Sequence, residues 1–525
     1  MTFVGGASAW LSSRALHPPT QPFLPSLPPS LPATQEVPLL EPDLLDKAMT
    51  FVGGASAWLS TKAFDPQAQP NEDAALAFCS FCPEHLLGDL LIIAKFIGRS
   101  HPQTLVGAPL PPFFALCIQA LTRPQLVHSP HLRAQIGDLL YYVFLPPEDR
   151  HDSPPSSTTR GHAIYTSLLL SNPLAQASLP PALLLLYGDV EHTGFYDKLE
   201  HRFHIAAVLK YLWKSPEHRR TFRRISEETA QFTSFANGLM NETNALVASV
   251  MEKLPEIRQV QQQMKELETW GAMAEQTRNE LLERHNDNEQ RVSSSMLLCN
   301  ETIHMLMYLT SDEALRKPFL APTLCPRLAN TLLSIVVQLV GAKGLEIKVD
   351  NPDALNFNAK DMLREVSLTI LHFGADPPFH AALSESGYYK DGMLGKVQQT
   401  LKRLGGLDEQ QLRAFAALEG AVDAAAQQTQ AEELDVEVPD EFLDPLLFVL
   451  IKDPVKLPTS GYVMDRGSIE QHLLNYSTDP FNRQPLSAEQ LEPLPEMKER
   501  IERWVEEQRA VKRTEKEGGK DGGAA

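Results

Sequence analysis

The chain has 525 residues, more than one ordinary domain, and its 66 acidic residues outnumber its 47 Lys and Arg, giving a formal net charge of −19. Because binding to a phosphate backbone requires a basic surface, this balance disfavours nucleic acid as a partner. Five irregularly spaced cysteines and no signal peptide predict an intracellular, reducing location. No apolar stretch reaches the roughly twenty residues of a membrane span, so no membrane is expected.

Residues 1–43 are rich in proline, which cannot sustain a helix or a packed core, and we predict that they are disordered. Met1–Ala15 recurs almost unchanged as Met49–Ala63. Solenoid repeats usually diverge and follow one another directly, so this near-identity does not indicate one. We interpret it as a recent duplication or a gene-model artefact, with the second copy as the native helix.

Residues 44–405 show apolar side chains at helical spacing, with Pro and Gly at the joints. The clearest example is the set Leu328, Leu332, Ile335, Val336 and Leu339. No βαβ alternation and no Gly-rich phosphate loop interrupts the pattern. It therefore favours a mainly α protein whose core is a solenoid of stacked helical pairs, like armadillo or HEAT repeats.

Three local features of this region have more than one interpretation. Cys79, Cys82 and the nearby His85 have part of a metal-site spacing, but a second ligand pair is missing, so core cysteines are favoured. Pro255 to Val292 has coiled-coil-like periodicity, for which an antiparallel hairpin is favoured over an oligomerisation zipper. The histidines between Phe195 and Arg224 are expected to cap helices or face solvent.

From 406 to 435 the composition shifts to Gln, Ala, Asp and Glu, which predicts one helix and then a flexible acidic linker. Residues 436–509 have the signals of a compact α/β module. An apolar run, Leu446–Ile451, predicts a loop and strand, and a second strand ends at Asp465. Ser468 is expected to cap a helix, and an amphipathic helix closes the module before a disordered tail, 510–525.

This module resembles a U-box, the zinc-free relative of the RING domain. The phrases FLDPL, KDPV, LPTSG, DRGSI, HLL and TDPFNRQPL occur in the family's order over the whole stretch. The resemblance implies that Leu446 and Phe448 of a first loop and Pro480 of a second loop bind a ubiquitin-conjugating enzyme. It also implies that Arg483 is the linchpin that bridges this enzyme and its ubiquitin. Core packing is the alternative for Leu446 and Phe448.

The residue types in the module exclude two kinds of chemistry. Between Val436 and Ala525 there is no cysteine and His472 is the only histidine, so ligands for a structural zinc are missing and no cofactor is expected. A ubiquitin thioester on this chain would need a reactive cysteine in the module. We therefore expect the module to position a partner's activated ubiquitin.

A polar network is expected to brace the loops in place of metal, although about half of its members could be merely solvated. Its candidates are Asp453, Ser460, Asp465, Arg466, Glu470, Asp479, Asn482 and Arg483.

The helical part is similar to the core of the ubiquitin conjugation factors of the ubiquitin-fusion-degradation family. The similarity lies in FYDKLEHRFHIAAVLKYLW, in LMNETNALVASVMEKLPEI and in the stretch from Ala321 to Val366. It implies elongation of ubiquitin chains on modified substrates for proteasomal degradation, in cytoplasm and nucleus, and association with a hexameric AAA-type segregase ATPase. The resemblance starts near Leu44, without the family's N-terminal region, so binding of shuttle factors is not expected. We expect a monomer.

The sequence is compatible with two classes of function. The first is a U-box ubiquitin transferase, and the second is a helical scaffold of the ubiquitin pathway whose U-box is weak or inactive. The sequence does not separate initiation on bare substrate from elongation.

Overall fold

The computed structural model describes residues 41–64, 72–146, 149, 162–190, 195–227, 229–340, 349–390, 392–432, 438–473, 476 and 478–518. The predictions for the proline-rich start, the first copy of the repeat and the acidic linker after residue 432 lie outside these residues. The described chain forms two compact units. The prediction of a mainly α protein with a small C-terminal α/β module is confirmed.

The first unit comprises the described residues up to Gly238, together with Ala245–Leu309 and 349–358. Its helices, some of which extend beyond these limits, are α1 (Pro42–Leu59), α2 (Glu72–Phe81), α3 (Glu84–Ser100), α4 (Leu110–Thr122), α5 (Pro130–Leu139), α6 (His162–Ser171), α7 (Pro173–Asp189), α8 (Phe195–Trp213), α9 (Pro216–Glu227), α10 (Thr229–Lys265), α11 (Leu267–Ala272) and α12 (Glu275–Ser311).

Seven helices of this unit pack in two rows. Helices α1, α4, α7 and α9 pack side by side in one row, and α3, α5 and α8 form the other. The apolar side chains at helical spacing in α5 and α8 are buried, among them Leu132, Ile136 and Leu209. This arrangement agrees with the predicted stacking of helical pairs. The second copy of the repeat lies in α1 and the π-helical turn Ser60–Phe64 that follows it.

The long helices α10 and α12 form an antiparallel hairpin. The Asn288 side chain donates to Glu256 at 3.0 Å, and the Gln261 side chain donates to Glu289 at 3.2 Å. These contacts within one chain confirm the hairpin interpretation of the coiled-coil-like segment.

The cysteines at the start of the chain are not the core residues that we expected. Cys79 and Cys82 are half-buried and line an apolar cavity of about 210 Å³, because α2 lies at the surface with Phe81 exposed. Burial raises the pKa of both thiols. The structure therefore corrects the prediction that these two side chains are fully packed.

Histidines of α8 and α9 are buried, which contradicts the expectation that they face solvent. His201 and His204 both bind the buried Asp138 carboxylate through Nδ1 at 2.8 Å. Lys95 donates to the same carboxylate at 2.5 Å. The sequence prediction was wrong because the carboxylate that these histidines bind lies on α5, more than sixty residues away.

In the second unit, helix α14 (Cys325–Val340) packs against α15 (Ala359–His372), α16 (Pro377–Ser384) and α17 (Met393–Leu404). Helix α18 (Glu409–Glu432) packs against the same three helices, α15, α16 and α17. The predicted apolar face of α14 is buried. Helix α18 confirms the helix predicted after residue 406. The helices before the module are α13 (Glu313–Arg316), α14 (Cys325–Val340), α15 (Ala359–His372), α16 (Pro377–Ser384), α17 (Met393–Leu404) and α18 (Glu409–Glu432).

The C-terminal module contains a three-stranded antiparallel sheet and two helices. Its elements are β1 (Pro454–Lys456), β2 (Val463–Asp465), α19 (Arg466–Leu473), β3 (Glu492–Pro493) and α20 (Pro495–Gly518). The central strand is β1, which pairs with β2 in the register Val455 to Met464 and with β3 in the register Val455 to Pro493.

Two small apolar clusters hold this module. One contains Val455, Leu457, Met464, Ile469, Leu486 and Leu491. The other contains Phe442, Ile451 and Ile501, with Trp504 packed against it. Since neither cluster is large, polar contacts are needed to fix the loops that they leave at the surface.

Three predictions about the module's elements are corrected. The run from Leu446 to Ile451 forms a turn with a single β-bridge at Leu450, and the first strand starts only at Pro454. Helix α19 begins at Arg466, so Ser468 lies inside its first turn and is not its cap. Helix α20 continues to Gly518, into the tail that we expected to be disordered.

Among the described residues, no single helix is long and apolar enough to cross a membrane, although two bent helix pairs reach the required length and composition.

Candidate functional site

The first loop of the C-terminal module consists of residues 444–449. Its first residue, Asp444, donates its backbone N–H to the carbonyl of the last, Val449, at 2.8 Å. The N–H of Phe448 donates back to the Asp444 carbonyl, also at 2.8 Å. A β-bridge between the two flanking residues closes the base. The backbone bonds thus fix a six-residue loop outside any strand.

The second loop, residues 479–484, has the same frame. Asp479 donates its N–H to the Gln484 carbonyl, and the N–H of Arg483 donates to the Asp479 carbonyl, both at 2.8 Å. A β-bridge again joins the flanking residues. The two loops therefore correspond residue by residue, although they are more than thirty residues apart in the chain.

Each loop has one residue in the left-handed backbone region, at the same position. Phe448 has φ 56° and Arg483 has φ 60°. A non-glycine residue in this region costs about 1–2 kcal/mol, so the surrounding hydrogen bonds must hold it there. The full correspondence pairs Asp444 with Asp479, Pro445 with Pro480, Leu446 with Phe481, Leu447 with Asn482, Phe448 with Arg483 and Val449 with Gln484.

A buried carboxylate holds the first loop from inside. Oδ1 of Asp444 accepts the backbone N–H of Leu446 at 2.9 Å and that of Leu447 at 3.1 Å. Its Oδ2 accepts the N–H of Asp465 at 2.9 Å. Because Asp465 is the last residue of β2, the same side chain ties the first loop to the sheet.

The equivalent carboxylate in the second loop is Asp479, which is also buried. Its Oδ1 accepts the N–H of Phe481 at 2.8 Å, and the Thr459 hydroxyl donates to its Oδ2 at 2.5 Å. Burial raises the pKa of this carboxyl, but the hydrogen bonds outweigh burial and leave the pKa below its ordinary value. The buried Ser460 hydroxyl contributes to this lowering without regular hydrogen-bond geometry.

The side chains that were expected to contact a partner differ in exposure. Leu446 is 40% exposed and Phe448 is 75% exposed, which argues against the core-packing alternative for both. Pro480 is half-buried and Arg483 is exposed. Their roles in binding stay predictions. The apolar surface of the first loop is also larger than expected, since Leu447 and Val449 are exposed as well.

Part of the predicted polar network forms around Arg466. Its guanidinium donates to Asp453 at 2.8 Å and lies 3.5 Å from Glu470. Lys498 of α20 donates to the other oxygen of Asp453 at 3.0 Å. These contacts to Lys498 and Arg466 hold the pKa of the Asp453 carboxyl below its ordinary value. The cluster joins β1, α19 and α20.

Asp465 accepts hydrogen bonds from backbone N–H groups and forms no ion pair with the described residues. Its Oδ1 accepts the backbone N–H groups of Lys452 and Asp453, both at 2.8 Å, and its Oδ2 accepts the N–H of Gly467 at 3.0 Å. Asp465 therefore caps α19, the role that the sequence predicts for Ser468, and connects this helix to the start of β1.

Asn482 and Arg483 lie outside the network. The Asn482 side chain accepts the N–H of Gln484 at 2.9 Å, within its own loop. The Arg483 guanidinium makes no hydrogen bond or ion pair with any residue that the structure describes. The N–H donors of Arg483 are therefore available to a partner. This corrects the prediction that Arg483 belongs to the polar network that braces the loops.

The described residues contain no group of His, Cys, Asp or Glu side chains that could hold a metal ion. The site offers an apolar loop surface next to the sheet, and a second loop of the same backbone that presents an exposed guanidinium. Such a surface can dock a partner and orient it, and the module contains no cysteine that could form a thioester.

Comparison with protein families identifies both parts of the chain. The model of the ubiquitin elongating factor core matches residues 32–423, and that of the U-box domain matches residues 438–510. The chain belongs to the ubiquitin elongating factor family.

Individual relatives agree with this result. The chain is 33% identical to the probable ubiquitin conjugation factor E4 of Arabidopsis thaliana over 83% of this chain and 42% of that protein. It is 29% identical to ubiquitin conjugation factor E4 of Schizosaccharomyces pombe, over 84% of this chain and 43% of that protein. It is also 29% identical to the E4 ubiquitin-protein ligase UFD2 of Saccharomyces cerevisiae, over 80% and 44%. The chain thus spans less than half the length of these relatives.

In this elongating-factor chain, sequence reasoning missed Asp444, Thr459 and Lys498. A signal for Asp444 was present, because the dipeptide Asp-Pro at 444–445 recurs at 479–480 with the same spacing to the left-handed residue. Thr459 and Lys498 gave no such signal, since their partners are determined by the folded arrangement of the turn and of α20.

Proposed function

We propose that this chain is a U-box ubiquitin-protein transferase. It recruits a ubiquitin-conjugating enzyme that carries ubiquitin and elongates polyubiquitin chains on substrates that are then degraded by the proteasome. The proposal rests on the two family matches and on one observation in the site. Two loops with the same backbone present an exposed apolar side chain, Phe448, and an exposed guanidinium, Arg483.

The chemistry would take place on the partner. In this proposal Leu446, Phe448 and Pro480 bind the conjugating enzyme through apolar contact. Arg483 donates to carbonyl groups of the enzyme and of its ubiquitin, which restricts the tethered ubiquitin to orientations open to attack by a lysine. A rate gain of this kind comes from orientation and needs no covalent intermediate on this chain.

The partners follow from the same proposal. They are a conjugating enzyme with thioester-linked ubiquitin, ubiquitinated substrates bound by the helical units, and an AAA-type segregase ATPase. The chain would work as a monomer in cytoplasm and nucleus. Support for the substrate role comes from the match of the elongating factor core to the helical region.

A chain-formation assay tests the activity. The full chain is combined with ubiquitin, activating enzyme, a panel of conjugating enzymes, and a substrate offered either bare or fused to ubiquitin. We expect longer chains on the fused substrate and about tenfold slower synthesis with Arg483→Ala. A matched control is Gln484→Ala, the exposed neighbour in the same loop.

The assay also separates the proposal from its alternatives. A chain that binds ubiquitinated substrate but stimulates no conjugating enzyme would be a scaffold with an inactive U-box. Equal rates on bare and fused substrate would indicate initiation in place of elongation.

A further inference from the structure

An aromatic stack lies on the second loop and, among the residues that the structure describes, has no counterpart on the first. The rings of Tyr462 and Phe481 lie 3.9 Å apart between centroids and only 12° from parallel. Phe481 is half-buried, whereas the Tyr462 side chain is 49% exposed. Tyr462 belongs to neither of the two apolar clusters described above, and its ring stacks on Phe481, which packs against the first of them.

The backbone that carries Tyr462 is itself fixed. The N–H of Leu457 donates to the Tyr462 carbonyl at 2.9 Å, and the N–H of Gly461 donates to the Leu457 carbonyl at 2.8 Å. Gly461 has φ 79°, a conformation that glycine adopts without strain. These bonds close the tight turn between β1 and β2, so Tyr462 is presented from a rigid hairpin.

The same turn contacts the second loop a second time. Thr459, in the middle of the turn, donates its hydroxyl to the Asp479 carboxylate. One contact therefore holds the first residue of the second loop, and the stack holds the third. Arg483 follows two residues after Phe481, in the left-handed conformation. The turn thus determines where the loop that carries the guanidinium lies.

We propose that Tyr462 is a positioning residue for Arg483. By stacking on Phe481, Tyr462 restricts the second loop to the conformation in which the exposed guanidinium meets the conjugating enzyme and its ubiquitin. The inference rests on the proposed transferase function. It concerns the ring alone, because the stack uses the aromatic face and not the phenol hydroxyl.

The test measures discharge of ubiquitin from a loaded conjugating enzyme onto free lysine, with the full chain added at increasing concentration. We expect Tyr462→Ala to lower the maximal discharge rate about three- to tenfold, the factor that the loss of one aromatic stack predicts. The half-saturating concentration should change less than the maximal rate, since Leu446 and Phe448 of the first loop are untouched. Tyr462→Phe should retain the wild-type rate.

Two comparisons make the result specific. Tyr476→Ala removes another exposed tyrosine of the module and should change nothing. In the background of Arg483→Ala, Tyr462→Ala should cost no further rate, because a residue that acts only through Arg483 has no effect without it. Should Tyr462→Ala fold poorly, Tyr462→Leu keeps an apolar cover without an aromatic face and is measured in its place.

Several results would overturn the inference. These are a wild-type maximal rate in Tyr462→Ala, a loss in Tyr462→Phe equal to that in Tyr462→Ala, or a rise in half-saturation alone, which would place Tyr462 in direct contact with the enzyme. Hydrogen exchange gives a readout independent of activity. Amides of the second loop should exchange faster in Tyr462→Ala while those of the first loop do not. If wild-type chain stimulates no discharge, the transferase function fails, and the exchange measurement still decides whether Tyr462 holds the loop.

Discussion

The two loops of the U-box have one backbone and opposite surfaces. In the first, the positions after the Asp-Pro pair carry Leu446, Leu447 and Phe448, and the surface is apolar. In the second, the same positions carry Phe481, Asn482 and Arg483, and the surface presents a cation. The common loop backbone therefore depends on the aspartate and on the residue in the left-handed region. The other exposed side chains can differ without changing that backbone, and they determine the surface of each loop.

The loops also differ in how they are attached to the sheet. Among the described residues, the Asp444 carboxylate accepts hydrogen bonds from backbone N–H groups alone, including that of Asp465 in β2. Asp479 binds one backbone N–H of its own loop and reaches the sheet through a side chain, the Thr459 hydroxyl. A contact between two side chains has more freedom than a contact between a side chain and the backbone. We therefore expect the first loop to be the more rigid of the two.

The largest effect should come from removing the carboxylates. Asp444→Ala leaves three buried or part-buried N–H groups without their acceptor and should destabilise the module by about 3 kcal/mol. Asp479→Ala loses one backbone partner and one hydroxyl, for about 2 kcal/mol. Opening free energies from hydrogen exchange of β1 amides measure both. The exposed Asp440→Ala is the matched control, and an Asp444 variant as stable as this control would refute the bracing role.

A second, smaller effect separates the surfaces. Phe448→Ala should raise the half-saturating concentration for a loaded conjugating enzyme about tenfold, since an exposed aromatic anchor is lost. Arg483→Ala should leave that concentration nearly unchanged and lower the maximal rate about tenfold, because orientation is lost and docking is not. Discharge kinetics over a range of chain concentrations measure both values.

The comparison breaks if the two variants behave alike. A rise in half-saturation for both would mean that Arg483 belongs to the docking surface together with Pro480, and a fall in maximal rate for both would mean that the first loop also orients ubiquitin. Stability of each variant, measured by hydrogen exchange, controls for unfolding.

Much of the architecture could be predicted because it depends on local pattern. Helical periodicity located the faces that are buried in α5, α8 and α14, and the turn residues located β2. The prediction of a strand in the apolar run that starts at Leu446 was wrong. Six consecutive apolar residues are typical of a buried strand. Here they form a loop whose apolar side chains remain at the surface.

The polar contacts were harder to predict because they join distant parts of the chain. The helix that contains His201 and His204 gives no indication of the carboxylate on α5 to which both side chains are hydrogen-bonded. Likewise, Asp453 could be named as a network member, but its partner Lys498 lies 45 residues away on α20. Only tertiary packing decides which charged residues meet, so composition and spacing predict the candidates and not the pairs.

The smallest effect should appear on acidification and concerns the second loop. The pKa of Asp479 is lowered in the folded chain, so its stabilising contribution is complete above the ordinary carboxyl pKa of about 3.9 and is lost as pH falls through the lower folded value. Amides of the second loop should therefore open more readily as pH is lowered from 5 toward 3.

The variant Asp479→Asn should remove this acid dependence at the second loop, because an amide does not titrate in that range. Asp453→Asn is the matched control, since the pKa of Asp453 is also lowered but through contacts with Lys498 and Arg466, away from the second loop. Its second-loop amides should keep the wild-type response. If acid opens the second loop equally in the wild type and in Asp479→Asn, then another group governs the loop, and its attachment through Thr459 contributes less than the short hydroxyl–carboxylate contact implies.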